Sequence, residues 1–134
     1  VASGFLRYTF AMTRLRAELI IAVAVVLLIL HLLGLSLELY WRIWWYDRVV
    51  HIMAGGLTSM VILSFNSVQN RFQSKTALFV ASVAIALLCG VLWEVFELTS
   101  GVTMLIDRGY RLDTTLDIVC DGIGGVIAGF YLLF

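Results

Sequence analysis

Four long apolar runs, at about residues 18–40, 47–66, 75–98 and 113–134, divide the chain and constrain its fold more than any other feature. Each approaches the ~20 residues an α-helix needs to cross the hydrocarbon core of a bilayer. Backbone polar groups in lipid must be satisfied within the segment, and strands of alternating pattern are absent, so the runs read as helices. Composition agrees: 62% of the 134 residues are hydrophobic, 13% are charged, proline is absent and mean hydropathy is +1.02. Such values lie outside the soluble range. The expected fold class is all-α integral membrane, a four-transmembrane-helix bundle in a single domain over 1–134. An interfacial arm over 1–16 opens it, with Phe5, Leu6 and Phe10 among Arg7, Arg14 and Arg16. Arg14 and Arg16 followed by an apolar run resemble a signal peptide. The run is too long for one and no small-residue cleavage site follows, so it reads as an uncleaved first span.

Zero net charge gives no argument for a nucleic-acid partner; membrane lipids are the expected surroundings. Cys89 and Cys120 both lie in apolar runs and make no disulfide framework. Basic residues orient the chain. Arg7, Arg14, Arg16, Arg71 and Lys75 share one side, and Arg42, Arg48, Arg108 and Arg111 the other. The first side has a single acid, Glu18, and the second has the remaining eight. This places both termini in the cytoplasm of a bacterial cell, with the protein multi-pass in the inner membrane, and the acids at the outer face.

Those acids form stripes. Asp113, Asp117 and Asp121 recur every four residues, an advance of about 40° beyond a full turn, so they climb one helix face. A carboxylate in hydrocarbon costs about 2.5–3.5 kcal/mol even on lenient insertion scales, so three together require partners. The stripe continues into Gly125 and Gly129. The second run opens with Asp47 and His51 and continues into Gly55; the third closes with Gly90, Glu94, Glu97 and Gly101. Small residues let membrane helices approach closely, so all three polar stripes are expected to face into the bundle.

Imidazole with several carboxylates is a ligand set for a divalent metal ion. The expected metal-binding residues are Asp47, His51, Glu94, Glu97, Asp113, Asp117 and Asp121. Of these, Asp47, His51, Glu94 and Asp117 form the nearest shell, and Glu94 and Asp117 are the catalytic candidates. A metal there polarises a phosphoryl or carbonyl oxygen and generates hydroxide from water. Arg48, Arg108 and Arg111 at the rim are candidates for holding an anionic head group. Plainer readings compete. Asp47 and Asp113 begin helices, where a carboxylate also serves as an N-cap. Glu97 at the interface has Arg108 and Arg111 as alternative partners. His31 and Glu38, seven residues apart, are within reach of the site, with His31 expected to pack or hydrogen-bond between helices. Tyr40, Trp41, Trp44, Trp45 and Tyr46 read as an interfacial aromatic belt.

Tyr46-Asp47-Arg48-x-x-His51, Trp93-Glu94-x-x-Glu97 and Asp113-Thr114-x-x-Asp117, followed by Asp121-Gly122-x-Gly124, resemble the YjdF-like family of bacterial inner-membrane proteins. More distantly, about residues 40–134 are similar to the VanZ-like family, whose founding role is low-level teicoplanin resistance. VanZ-like proteins carry lysine where Arg48 stands, glutamine where Glu97 stands and asparagine where Asp121 stands, which favours the first family. The resemblance implies positions and no chemistry. Three functions follow. One is a metal-dependent hydrolase or transferase acting on a lipid or cell-envelope precursor head group. The second is a cation or proton-coupled carrier, and the third a non-catalytic subunit of a membrane complex. A homodimer through Gly125-x-x-x-Gly129 stays open.

Overall fold

The computed structural model describes the backbone of residues 2–65, 68, 71–72, 74–103, 105 and 109–133, with side chains from residue 14 onward, residue 15 excepted. Five helices are present among the described residues: α1 (Ala2–Ser36), α2 (Leu39–Arg42), α3 (Tyr46–Ser64), α4 (Lys75–Ser100) and α5 (Tyr110–Leu133). Local chemistry sets their ends. Ser74 caps α4, its hydroxyl accepting from the Ala77 N–H at 3.1 Å. Gly101, at φ 77, terminates the same helix in the left-handed conformation that lacks a Cβ penalty. Glu38 adopts φ 57, which separates α1 from α2 and turns Tyr40 back toward α1.

Two expectations change. Among the described residues three helices, not four, are long and apolar enough to cross a membrane: Arg16–Ser36 within α1, α4, and α5. The fourth expected span, α3, is 19 residues long and carries Asp47, Arg48 and His51 in its first two turns. It lies inside the bundle, packed against α1, α4 and α5, and Val49, Val61 and Ile62 are its exposed residues. A helix covered by protein need not present an apolar surface to lipid, so its sequence falls short of a span. The separate interfacial arm is also absent as a distinct element, because α1 is continuous from Ala2 to Ser36.

Burial follows the stripes. On α4 the buried residues Leu78, Ser82, Ala86, Gly90 and Glu94 recur every four residues; on α3, His51, Gly55, Ser59 and Leu63 do the same. Helix α5 is buried on two faces, along Asp117, Asp121, Gly125 and Gly129 and along Cys120, Gly124, Ala128 and Leu132. It therefore sits between α3 and α4. Gly124 lies against the Ile52 carbonyl and Gly55 against the Asp121 backbone, both so closely that a Cβ would collide. On the other face Gly125 meets Ser82 and Ala86. The Ser59 hydroxyl donates to the Ser82 carbonyl at 2.7 Å, and the Ser82 hydroxyl donates to the Gly125 carbonyl at 2.8 Å, joining the three helices. Lipid tails are as apolar as leucine, so such packing and hydrogen bonds, about 0.6–2 kcal/mol each for the latter, hold membrane helices together.

Leu63, Leu78 and Leu132 close one end of the bundle as a dry cluster. The acids gather at the other. Helix α1 joins through Tyr46, whose hydroxyl donates to the Leu30 carbonyl, and through Gly34, where a Cβ would strike the Tyr40 and Tyr46 rings. Replacing Gly55 by valine is expected to lower the melting temperature in detergent, since overpacking costs about 1–3 kcal/mol. Leu88→Ala, on the outward face of α4, is expected to leave it unchanged. Circular dichroism melts of the two variants make the comparison.

Candidate metal centre

The polar ends of α3, α4 and α5 enclose a cavity of about 520 Å³, with α1 and α2 forming its outer wall. Asp47, His51, Glu94, Glu97, Asp113, Asp117 and Asp121 all line it. Their roles differ according to what each side chain touches. His51 Nδ1 and Asp121 Oδ2 are 2.8 Å apart, and both residues are buried, Asp121 to 2% exposure. Gly55 and Gly90 make room for that aspartate, whose backbone lies against the first and whose carboxylate lies against the second. With Asp121 as a carboxylate, Nδ1–H donates to it and Nε2 is left with its lone pair directed elsewhere.

That nitrogen faces Asp47, with 3.6 Å between Nε2 and Oδ1, longer than a hydrogen bond. Ligand atoms about 2.1 Å from a shared ion at tetrahedral angles stand about 3.4 Å apart. Asp47, His51 and Asp117 offer ligand atoms that all lie within 4.8 Å of one another. Asp117 is 3% exposed and its Oδ1 is buried without a hydrogen-bond partner. An unsatisfied buried carboxylate oxygen is costly, and a cation beside it removes the cost. This buried His/Asp cluster is consistent with a divalent metal site.

The other acids are engaged. Thr114 donates to Glu94 Oε2 at 2.8 Å across the α4–α5 contact, and Glu94 is itself buried. Trp93 Nε1 donates to Glu97 Oε1 at 2.9 Å. Asp113 is exposed and pairs with Arg48 at 3.2 Å. Neither Asp47 nor Asp113 shows a capping bond; the N-cap position of α3 is Trp45, without a side-chain cap, and Asp47 sits in the first turn. Tyr40, on α2 outside the spans, lines the cavity and lies 2.8 Å from His31 Nδ1. Burial first, then the Asp47 charge, pushes its hydroxyl above the ordinary tyrosine range, so it stays protonated and shares a hydrogen bond with His31 whose direction follows the imidazole tautomer.

The family model described as "Predicted membrane protein (DUF2238)" matches residues 3–134. The chain belongs to that family. No curated protein and no solved structure matches the chain. The match supports membership of this membrane-protein family and does not reach the finer likeness to the YjdF-like or VanZ-like families.

In this DUF2238 protein two of the three candidate arginines, Arg48 and Arg111, lie outside the cavity lining. Arg48 is absent from the cavity lining; it donates to the Trp44 carbonyl and lies 5.6 Å over the Trp44 ring. Arg111 is exposed and outside the lining, and Arg108 lies outside the described residues. Glu38 is directed away, paired with Arg42 at 2.8 Å. Thr114, Tyr40 and His31 are the site groups that spacing alone did not assign. Thr114 is the residue next to Asp113, and its step of three from Asp117 is the signal that places it on the same face. Truncating Asp121 to alanine leaves His51 buried without its partner. Loss of about 3–5 kcal/mol of stability is expected, read as a sharply lowered melting temperature, whereas Asp113→Ala, at an exposed ion pair, is expected to cost under about 1 kcal/mol.

Proposed function

We propose that this chain is a bacterial inner-membrane protein whose Asp47, His51 and Asp117 hold a divalent metal ion that acts on the head group of a lipid or cell-envelope precursor. The observation that carries the reading is the buried, unpartnered Asp117 Oδ1 beside His51 and Asp47. Asp121 has the part of the carboxylate that orients a metal-ligating histidine and selects its tautomer. The bound metal supplies Lewis acidity and lowers the pKa of a coordinated water. Glu94, positioned by Thr114 in the same cavity, is the general base: it takes a proton from the attacking water and returns it to the departing alcohol oxygen. A metal held there would be the partner for an anionic substrate oxygen, since Arg48 is already bound by Asp113 and Trp44.

The same reading orients the molecule. Arg14, Arg16, Arg71 and Lys75 lie toward the end of the bundle opposite the cavity, which favours a cytoplasmic position for that end. The cavity then faces the outer leaflet. The motifs around Asp47, Glu94 and Asp117 support a finer relationship to the YjdF-like family, and more distantly to the VanZ-like family.

A carrier needs a continuation of the polar site through the protein. Below Asp121 the hydroxyls of Ser59 and Ser82 are spent on backbone carbonyls, and Leu63, Leu78 and Leu132 follow. The described residues favour a closed pocket over a path.

Elemental analysis of protein purified without chelator tests the reading. About one divalent ion per chain is expected, lost in Asp117→Asn and in His51→Ala and retained in Arg111→Ala. Wild-type protein free of metal, or unchanged occupancy in both site variants, overturns it.

A further inference from the structure

The cavity has two kinds of wall. Its inner end is the acid cluster; its outer part is lined by Leu27, His31 and Leu35 of α1 and by Cys89, Trp93 and Phe96 of α4. Helix α1 packs against α3, and the cavity occupies the space between α1 and α4. The edge-on contact of the His31 and Trp93 rings, with centroids 6.4 Å apart, spans that gap. Leu35 and Phe96 at its lips are 50% and 53% exposed, and Trp41, Trp93 and Val102 around the mouth are exposed as well. Both flanking helices are candidate membrane spans whose outward residues, such as Leu28 on α1 and Leu92 on α4, are apolar. A mouth with apolar lips between two lipid-facing helices opens sideways into the bilayer.

Charge narrows the occupant. Among the described residues six carboxylates line the cavity, and no lysine or arginine does. One divalent ion at Asp47, His51 and Asp117 leaves Glu94 and Glu97 beyond it, with the Trp93 ring beside Glu97. An anionic head group alone is repelled by these surplus acids. A zwitterionic one is complementary: phosphate oxygen toward the metal, ammonium toward Glu94, Glu97 and the aromatic face.

We infer that the gap between α1 and α4 is a lateral binding site for an amine-bearing phospholipid, its hydrocarbon chain between the two helices and its head group at the acid cluster. The head-group half rests on the metal reading proposed above; the chain half stands on the apolar mouth alone.

The test uses full-length protein in vesicles containing a trace of diazirine-bearing phosphatidylethanolamine or, separately, phosphatidylglycerol with the same chain. Crosslinked residues are mapped by mass spectrometry. Phosphatidylethanolamine is expected to label the cavity wall of α3 at Val50, Ala54 and Thr58, beyond its labelling of outward residues such as Leu28 and Leu92. Labelling of that wall is expected to exceed that from phosphatidylglycerol by about tenfold, the scale of a charge-assisted hydrogen bond, and to lose the excess in Glu94→Gln with Glu97→Gln. Ala54→Trp fills the cavity and is expected to abolish wall labelling; Leu27→Trp does so from the α1 side if the first variant fails to fold. Wild-type labelling confined to outward residues overturns the lateral site. Equal wall labelling by both lipids overturns the head-group assignment. The Asp117→Asn variant separates the two readings: wall labelling that persists there without metal leaves the chain site standing, and its loss overturns a chain site independent of the metal.

Discussion

The hydrogen bond between His51 and Asp121 lies where Gly55 of α3 and Gly90 of α4 meet Asp121 of α5, and the rest of the site depends on it. A carboxylate this far inside a membrane helix is tolerable only with a donor aimed at it, and the donor is on another helix. The two helices can bring these groups together because Gly55 and Gly90 present no side chain to Asp121. The bond has a second consequence. It occupies one ring nitrogen of His51 and leaves the other facing Asp47 and the cavity. Packing, charge satisfaction and the chemistry of the site are therefore one arrangement, and a change at a glycine reaches the histidine through the aspartate.

Helix α3 shows how a membrane protein accommodates a polar helix. Its first two turns carry Asp47, Arg48 and His51, and its buried stripe includes Gly55 and Ser59. Exposed to lipid, that surface is expensive; covered by α1, α4 and α5, it becomes the interior wall of a site. The lipid-facing work falls to α1, α4 and α5, whose apolar windows are long enough to cross. The bundle is then polar at one end, where three helix ends bring acids together. At the other end Leu63, Leu78 and Leu132 exclude water. A pocket closed below and open at the side is suited to a ligand that arrives through the bilayer.

Much of this was legible in the chain. Apolar length without proline called for membrane helices, the four-residue spacing of Asp113, Asp117 and Asp121 placed them on one face, and the glycines continuing each stripe directed those faces inward. All seven acid and histidine candidates do line one cavity. The arginines were less legible. A basic residue at a helix end is equally compatible with a substrate phosphate or a neighbouring carboxylate, and Arg48 took Asp113 and Trp44. The number of crossings was misjudged for another reason: α3 carries Asp47, Arg48 and His51 in its first two turns, which leaves it short of the apolar length of a span.

Spacing along one helix specifies angles around that helix and nothing about its neighbours. The sequence by itself therefore determined that the chain is helical and membrane-bound, which helix faces are polar and that the acids gather at one end. It did not determine the number of helices or of crossings. Only the tertiary structure decided which acid answers which donor: Asp121 to His51, Glu94 to Thr114, Glu97 to Trp93 and Asp113 to Arg48. It also decided that Asp117, with the same spacing and chemistry as the aspartates on either side of it, keeps one oxygen buried and without a partner. The physical reason is that hydrogen-bond partners between helices depend on the rotation and separation of packed pairs. Those are set by where glycine backbones touch across α3, α4 and α5.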